Sequence, residues 1–131
     1  MSPESVQKDD LSLKLDDLVK IGRIEDVVEP IKGFRFAMHT LNNGETLEAM
    51  KSIKFLKTEN ESEEDTVLKF QMLQKNILIL AIDKINDKIL TKEEKIALLT
   101  NVQTNVFNMI YEEYTKLVDK QTAVIEELKK K

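Results

Sequence analysis

His39 is the only histidine in the chain, and it is the first side chain to consider for chemistry. It ends the segment FRFAMH and precedes Glu45 and Glu48. An imidazole with two carboxylates is a ligand set that zinc accepts in proteins. A single histidine on the polar side of a strand is far more often in contact with water, however. We therefore expect His39 to be a solvated residue rather than a metal ligand.

Other reactive patterns are missing from the sequence. There is no cysteine, no serine stands in a G-x-S-x-G turn, and the three glycines form no phosphate-binding loop. The acidic run from Glu59 to Asp65 lacks the glycine and the ligand spacing of an EF-hand loop, so we interpret it as a solvated linker. The sequence predicts no catalytic residue, no metal and no cofactor, and hence a protein that is not an enzyme.

Charge and hydropathy narrow the choice of partners. The chain of 131 residues has 20 basic and 24 acidic side chains and a net charge of −4, which disfavours nucleic acid and anionic membranes. The longest apolar run, Ile77 to Ile82, is far too short to cross a bilayer. Because cysteine is absent, a reducing compartment is the natural one. We expect a cytoplasmic protein whose partners are proteins.

The elements that position these side chains begin with a separate N-terminal segment, residues 1–22. Leucines at 11, 15 and 18 with Val19 fit one helical face that ends at Gly22, although residues 11, 13 and 15 also alternate as in a strand. We favour a short helix. Residues 23–131 are predicted to form a single domain that starts with a β-hairpin over 24–41, turning at Lys32-Gly33.

The second strand of this hairpin leads into a helix. Phe34, Phe36 and Met38 alternate onto one face, and the spacing of Asn42 and Glu45 is that of a capping box. A helix over about 45–57 follows, with an apolar face expected to lie on the hairpin: Leu47, Met50, Ile53 and Leu56.

Three further helices are predicted after the acidic linker. The longest apolar pattern predicts a central core helix over 66–90. The sequence TKEE at Thr91 to Glu94 is a second capping box and predicts a helix over 92–100. A last helix is expected over 104–129. The fold class is therefore α+β and mainly α, with an N-terminal hairpin packed on a small helical bundle and a long C-terminal helix.

The last helix carries a heptad stripe, at intervals of three and four: Phe107, Ile110, Tyr114, Leu117, Gln121, Val124 and Leu128. The stripe fits packing within the chain and also packing against a second copy. Its aromatic residues are more typical of a core than of an exposed hot spot. The end from Val124 to Leu128 lies beyond the expected core. Candidate partner-binding residues are Phe107, Tyr111, Tyr114, Leu117, Val124 and Leu128.

The order of these motifs resembles that of the small tail-assembly chaperones and baseplate-hub assembly proteins of tailed bacteriophages. The similarity covers roughly residues 24–120. In that family an apolar-Arg-apolar strand leads into T-L-x-x-G-E, a middle helix ends near an I-N-G turn, and a late helix carries Y-x-x-Y-x-x-L. The counterparts are Phe34-Arg35-Phe36, Thr40 to Glu45, Ile85-Asn86-Asp87, with aspartate in place of glycine, and Tyr111, Tyr114 and Leu117.

The resemblance implies a non-catalytic assembly factor in the host cytoplasm or the virion that binds tail components such as tape-measure or hub proteins. Two alternatives stay open. One is a structural subunit of the tail or baseplate, held through its C-terminal helix. The other is a small acidic regulator that binds a basic protein surface through residues 9, 10, 16 and 17, all aspartates, and the Glu59 to Asp65 run.

Overall fold

The computed structural model describes residues 14–51, 53 and 62–129. Helix α1 covers residues 14–20. The remaining elements are β1 (Glu25–Ile31), β2 (Phe34–His39), α2 (Asn43–Lys51), α3 (Glu63–Ala81), β3 (Ile82–Ile85), β4 (Lys88–Ile89), α4 (Lys92–Asn101) and α5 (Thr104–Lys129). The four strands form one antiparallel sheet in the order β1-β2-β3-β4. The α+β, mainly helical class, with an N-terminal hairpin and a long last helix, is confirmed.

The first hairpin forms where the sequence predicts it. Gly33 takes a φ of 90°, a left-handed conformation that glycine adopts without steric cost, and this allows the tight turn between β1 and β2. The register of the pair shifts between Val28 and Ile31, where Pro30 has no N–H to donate. Proline is therefore confined to an irregular part of an edge strand.

The predicted helix over 66–90 is wrong beyond Ala81. There the chain turns into a second hairpin, β3 and β4, and β3 pairs with β2 through Phe36, Ala37 and Met38. The β-branched Ile82 is fully buried in the sheet. Sheet pairing and burial thus override an apolar pattern that is equally compatible with a helix.

The two residues that connect β3 and β4 form a tight turn within the segment that was predicted as helix. Asn86 and Asp87 have φ values of 50° and 67°, which suit the two central residues of a type I′ hairpin turn. The Asn86 side-chain oxygen accepts from the Arg35 N–H at 2.8 Å, and its amide nitrogen donates to the Gly33 carbonyl at 3.2 Å. Asn86 thereby links the second turn to the first hairpin.

Helices α2 and α3 also differ in detail from the predictions. Helix α3 starts at Glu63 because Ser62 and Asp65 form a capping box that the linker interpretation overlooked. In α2 the buried side chain is Ala49, whereas Leu47 and Met50, from the predicted apolar face, are exposed. Of the expected continuation to residue 57, Ile53 lies in a turn and its N–H donates to the Met50 carbonyl at 3.1 Å, while residues 52 and 54–57 lie outside the described residues.

Both predicted capping boxes are confirmed. The Glu45 N–H donates to the Asn42 side chain at 2.8 Å while the Asn42 N–H donates to Glu45 at 3.1 Å. The same reciprocal pair joins Thr91 and Glu94 at the start of α4. The expected short N-terminal helix is present as α1 over residues 14–20, before Gly22, whose φ is 81°; its predicted start at Leu11 lies outside the described residues.

The core lies between the sheet and helices α3, α4 and α5. Its buried side chains are Phe36, Met38, Leu78, Ala81, Ile82, Leu99, Ile110, Tyr114 and Leu117. Helix α5 crosses β1 and β2 and also contacts α3. The first half of the heptad stripe therefore packs in the core of the same chain.

Candidate functional site

The six predicted partner-binding residues fall into three groups by burial. Tyr114 and Leu117 belong to the core, with 7% and 1% of their surface exposed. The Tyr114 hydroxyl is paired with the Leu41 backbone, and burial raises the pKa of Tyr114. A partner can reach these two side chains only if the core opens, so they do not form an accessible docking surface.

Phe107 and Tyr111 are half-buried against the core. The Tyr111 and Tyr114 rings lie 5.9 Å apart and are tilted by 38°, a favourable aromatic arrangement. Burial also raises the pKa of Tyr111. Tyr111 thus connects the buried part of α5 to its surface.

Val124 and Leu128 are the exposed members of the stripe, at 42% and 46%. The N-terminal segment approaches this end of α5. The Gln121 side-chain amide donates to the Gly22 carbonyl at 2.9 Å, and a Cβ at Gly22 would lie only 3.0 Å from Ile125 Cδ1. The stripe's polar member therefore holds the turn that follows α1.

This arrangement brings a second set of exposed apolar side chains to the same end of the molecule. All residues of α1 are exposed, and Val19 reaches 79%. We call the combined set the α1–α5 surface: Leu15, Leu18, Val19, Ile21, Val124 and Leu128. The contacts of Gly22 with Gln121 and Ile125 join the two helices that carry these side chains, and exposed apolar patches are typical of protein-interaction sites. The sequence predicts the α5 residues of this surface as partner-binding, and it predicts for Leu15 and Leu18 only a place on a helical face.

His39 contradicts the prediction of a solvated residue, because it is buried, with 5% exposed. Its Nε2 lies 3.0 Å from Glu45 Oε2, which is one of the two carboxylates considered for it. Its Nδ1 lies 2.9 Å and 3.0 Å from the two carboxylate oxygens of Asp83. The histidine therefore bridges α2 and β3 from the end of β2.

Asp83 could not be found from the sequence because it was placed inside a helix. The β2–β3 register pairs Ala37 with Lys84 but Met38 with Ile82, so Asp83 is the extra residue of a β-bulge. Bulges re-aim a side chain relative to a regular strand. Here the bulged residue carries the carboxylate that meets His39.

The surroundings of Glu45 determine the direction in which its pKa is shifted. Burial by itself would raise the pKa of Glu45, but hydrogen bonds from His39 and the Asn42 N–H, together with the charges of His39 and Arg23, lower it overall. Glu45 is therefore an ionised acceptor. A neutral imidazole has one N–H, so only a doubly protonated ring can donate to both carboxylates at once. Both ring nitrogens are engaged by these contacts.

Neither the histidine cluster nor any other part of the described chain, residues 14–51, 53 and 62–129, groups three ligands that could hold a metal ion. Within the acidic segments considered for a basic partner, Asp16 and Asp17 are exposed on α1, and Glu63 to Asp65 form the first turn of α3. Asp9, Asp10 and residues 59–61 lie outside the described residues.

An open cleft is lined by residues of α2 and α3 and by Lys92 at the start of α4. Its volume is about 650 Å³, and its lining includes Ala49, Ile79, Leu80 and Lys51. The Asn76 side chain donates to the Ala49 carbonyl at 2.8 Å and so holds α2 against α3 beside it. The position of α2 thus determines the width of the cleft.

Comparison with known proteins adds no assignment to this geometry. The chain matches no protein-family model, no curated protein and no solved structure. Among the described helices, none is long and apolar enough to span a membrane.

Proposed function

We propose that the protein is a non-catalytic binding factor that acts on components of a bacteriophage tail or baseplate, such as tape-measure or hub proteins. The α1–α5 surface is the observation that carries this proposal. It offers Val124 and Leu128 from α5 and four apolar side chains from residues 15–21, all at least 42% exposed. A partner that covers them gains the free energy of removing this apolar area from water.

The chemistry of the buried polar cluster supports a binding role in preference to catalysis. His39, the only histidine, has both ring nitrogens engaged by carboxylates. His39 and Glu45, which were considered above as metal ligands, thus connect elements of the fold. The tail-assembly class itself rests on the motif resemblance described above, of which the Asn42–Glu45 cap and the Tyr111–Leu117 helix are parts.

The first test is the gene's neighbourhood, followed by a binding measurement. We expect the adjacent reading frames to encode tail proteins, and we expect the tape-measure or hub protein to remain soluble and to co-purify when co-expressed with this chain. An environment without tail genes, together with no binding to a tape-measure or hub protein, would refute the proposal. Stoichiometric retention in purified particles would instead identify a structural subunit.

The surface is tested with charge substitutions on α5. A double variant, Val124→Asp with Leu128→Asp, should weaken the complex by more than about tenfold, because it places carboxylates in an apolar contact. A second double variant, Thr122→Asp with Ala123→Asp, is the matched control, since it adds the same two charges at exposed neighbouring positions on other sides of the helix. Equal binding by all three proteins would contradict the assignment of the surface while leaving the binding role itself intact.

A further inference from the structure

The buried contacts of His39 depend on its charge and join three separate elements. The residue ends β2, its Nδ1 faces Asp83 of β3, and its Nε2 faces Glu45 in the first turn of α2. Histidine is the side chain that ordinarily changes charge between about pH 5 and 8. We propose that protonated His39 holds the first turn of α2 on the sheet, and that loss of this proton breaks the hydrogen bond between His39 and Glu45.

The side that is released follows from the arrangement of the acceptors. Asp83 presents both carboxylate oxygens to Nδ1, at 3.0 Å and 2.9 Å, whereas Glu45 presents one oxygen to Nε2 and uses the other to accept from the Asn42 N–H. The neutral ring keeps its remaining proton on Nδ1, toward Asp83. Its Nε2 lone pair then faces the Glu45 carboxylate, and the two repel each other.

The other charged groups around the ring do not substitute for the lost proton. Glu25 is paired with His39 in the β1–β2 register, and Arg23 binds Glu25 at 2.6 Å. From α5, the Tyr114 hydroxyl is already paired with the Leu41 backbone. None of these groups supplies a donor to Glu45 when the ring is neutral, so the contact between α2 and the sheet depends on the histidine.

Loss of the His39–Glu45 hydrogen bond should change the width of the cleft beside α2. Helix α2 keeps its hold on α3 through the buried Ala49 and the Asn76 hydrogen bond. With its first turn repelled from His39, we expect the helix to open more often and to widen the cleft along Ala49, Ile79 and Leu80. The predicted behaviour is a tight α2 at acidic pH and a looser one at alkaline pH.

Hydrogen exchange of the backbone amides between Glu45 and Lys51 measures this opening, after correction for the intrinsic pH dependence of exchange. Between about pH 5.5 and pH 8 the protection of these amides should fall by about tenfold to a hundredfold, the equilibrium value of one charge-assisted hydrogen bond. Amides of α5 around Leu117 serve as the internal reference and should keep their protection. Protection of α2 that does not change with pH would overturn the proposal.

Glu45→Gln gives a sharper test because it should reverse the sign of the pH dependence of amide protection in α2. The glutamine oxygen can still accept from the Asn42 N–H, and its NH₂ group can donate to the Nε2 lone pair of neutral His39 but not to the protonated ring. In this variant α2 should be better protected at alkaline pH. Glu48→Gln, the same substitution on the same helix away from His39, should behave as the unmodified chain. If α2 protection had the same sign of pH dependence in both variants, the proposed role of the His39–Glu45 hydrogen bond would be overturned.

Nitrogen chemical shifts of the His39 ring provide a measurement that needs no variant. We expect both ring nitrogens to carry protons at acidic pH and only Nδ1 to carry one after titration. A neutral ring protonated at Nε2 would refute the proposal, because deprotonation would then break the hydrogen bond to Asp83 on β3 and leave Glu45 bound. This readout also decides the matter if Glu45→Gln does not fold.

Discussion

The heptad stripe of α5 is divided between the core and the surface, and truncation of one residue from each part measures that division. Leu117 is 1% exposed and packs among the buried side chains of the core. Leu117→Ala should therefore destabilise the protein by about 3 kcal/mol, within the range for leucine truncations in cores. Val124 is 42% exposed, so Val124→Ala removes methyl groups that are only partly buried, at about 1 kcal/mol.

The expected melting shifts follow from the length of the chain. With 131 residues, unfolding entropy near the midpoint is about 0.28 kcal/mol/K, so the two variants should melt about 11 °C and about 4 °C below the unmodified protein. Urea titration at several protein concentrations gives the same free energies independently. Equal destabilisation by both variants would refute the division. A midpoint that rises with protein concentration would show that the stripe is buried between copies instead.

Three further predictions concern turns and acid stability. Gly22→Ala should lower the free energy of unfolding by about 1 kcal/mol or more beyond the effect of Gly33→Ala. Both positions have a positive φ, but only a Cβ at Gly22 would contact Ile125. Urea titrations of the two variants measure the difference. Asn86→Ala should lower the free energy of unfolding by about 2 kcal/mol, because it removes the hydrogen bonds to the first hairpin and replaces a residue suited to a φ of 50°. A decrease below about 0.5 kcal/mol would argue against the linking role of Asn86. Because the pKa of Glu45 is lowered in the fold, its ionisation stabilises the protein above the ordinary carboxylate pKa, and this stability is lost as the pH falls through the lowered value. Glu45→Gln should therefore reduce the loss of unfolding free energy at acidic pH. An unchanged loss would contradict the assignment.

The predicted elements that were confirmed are those whose signals are local. The Asn42–Glu45 and Thr91–Glu94 capping boxes each satisfy backbone groups within four residues, so the sequence alone determines them. The turn at Gly33 and the 3.5-residue period of α5 are local in the same sense. Together these signals give the mainly helical α+β class and the long last helix, before any tertiary contact is considered.

The candidate site was only half visible in the sequence. Val124 and Leu128 follow from the heptad spacing, and their exposure agrees with the expectation that the end of α5 lies beyond the core. Tyr114 and Leu117 have the same spacing and are buried. Periodicity identifies a face of a helix, and it does not say which length of that face another element covers.

The tertiary structure decided the features that depend on residues far apart in the chain. Residues 82–89 form strands because β2 offers a partner edge and the core offers a place for Ile82, and neither condition is written in the local sequence. The same pairing creates the bulge that turns Asp83 toward His39, 44 residues away in the chain. The local pattern places His39 in solvent, but in the fold it is buried, with one carboxylate partner near in sequence, Glu45, and a second, Asp83, that only the tertiary structure brings within 3.0 Å.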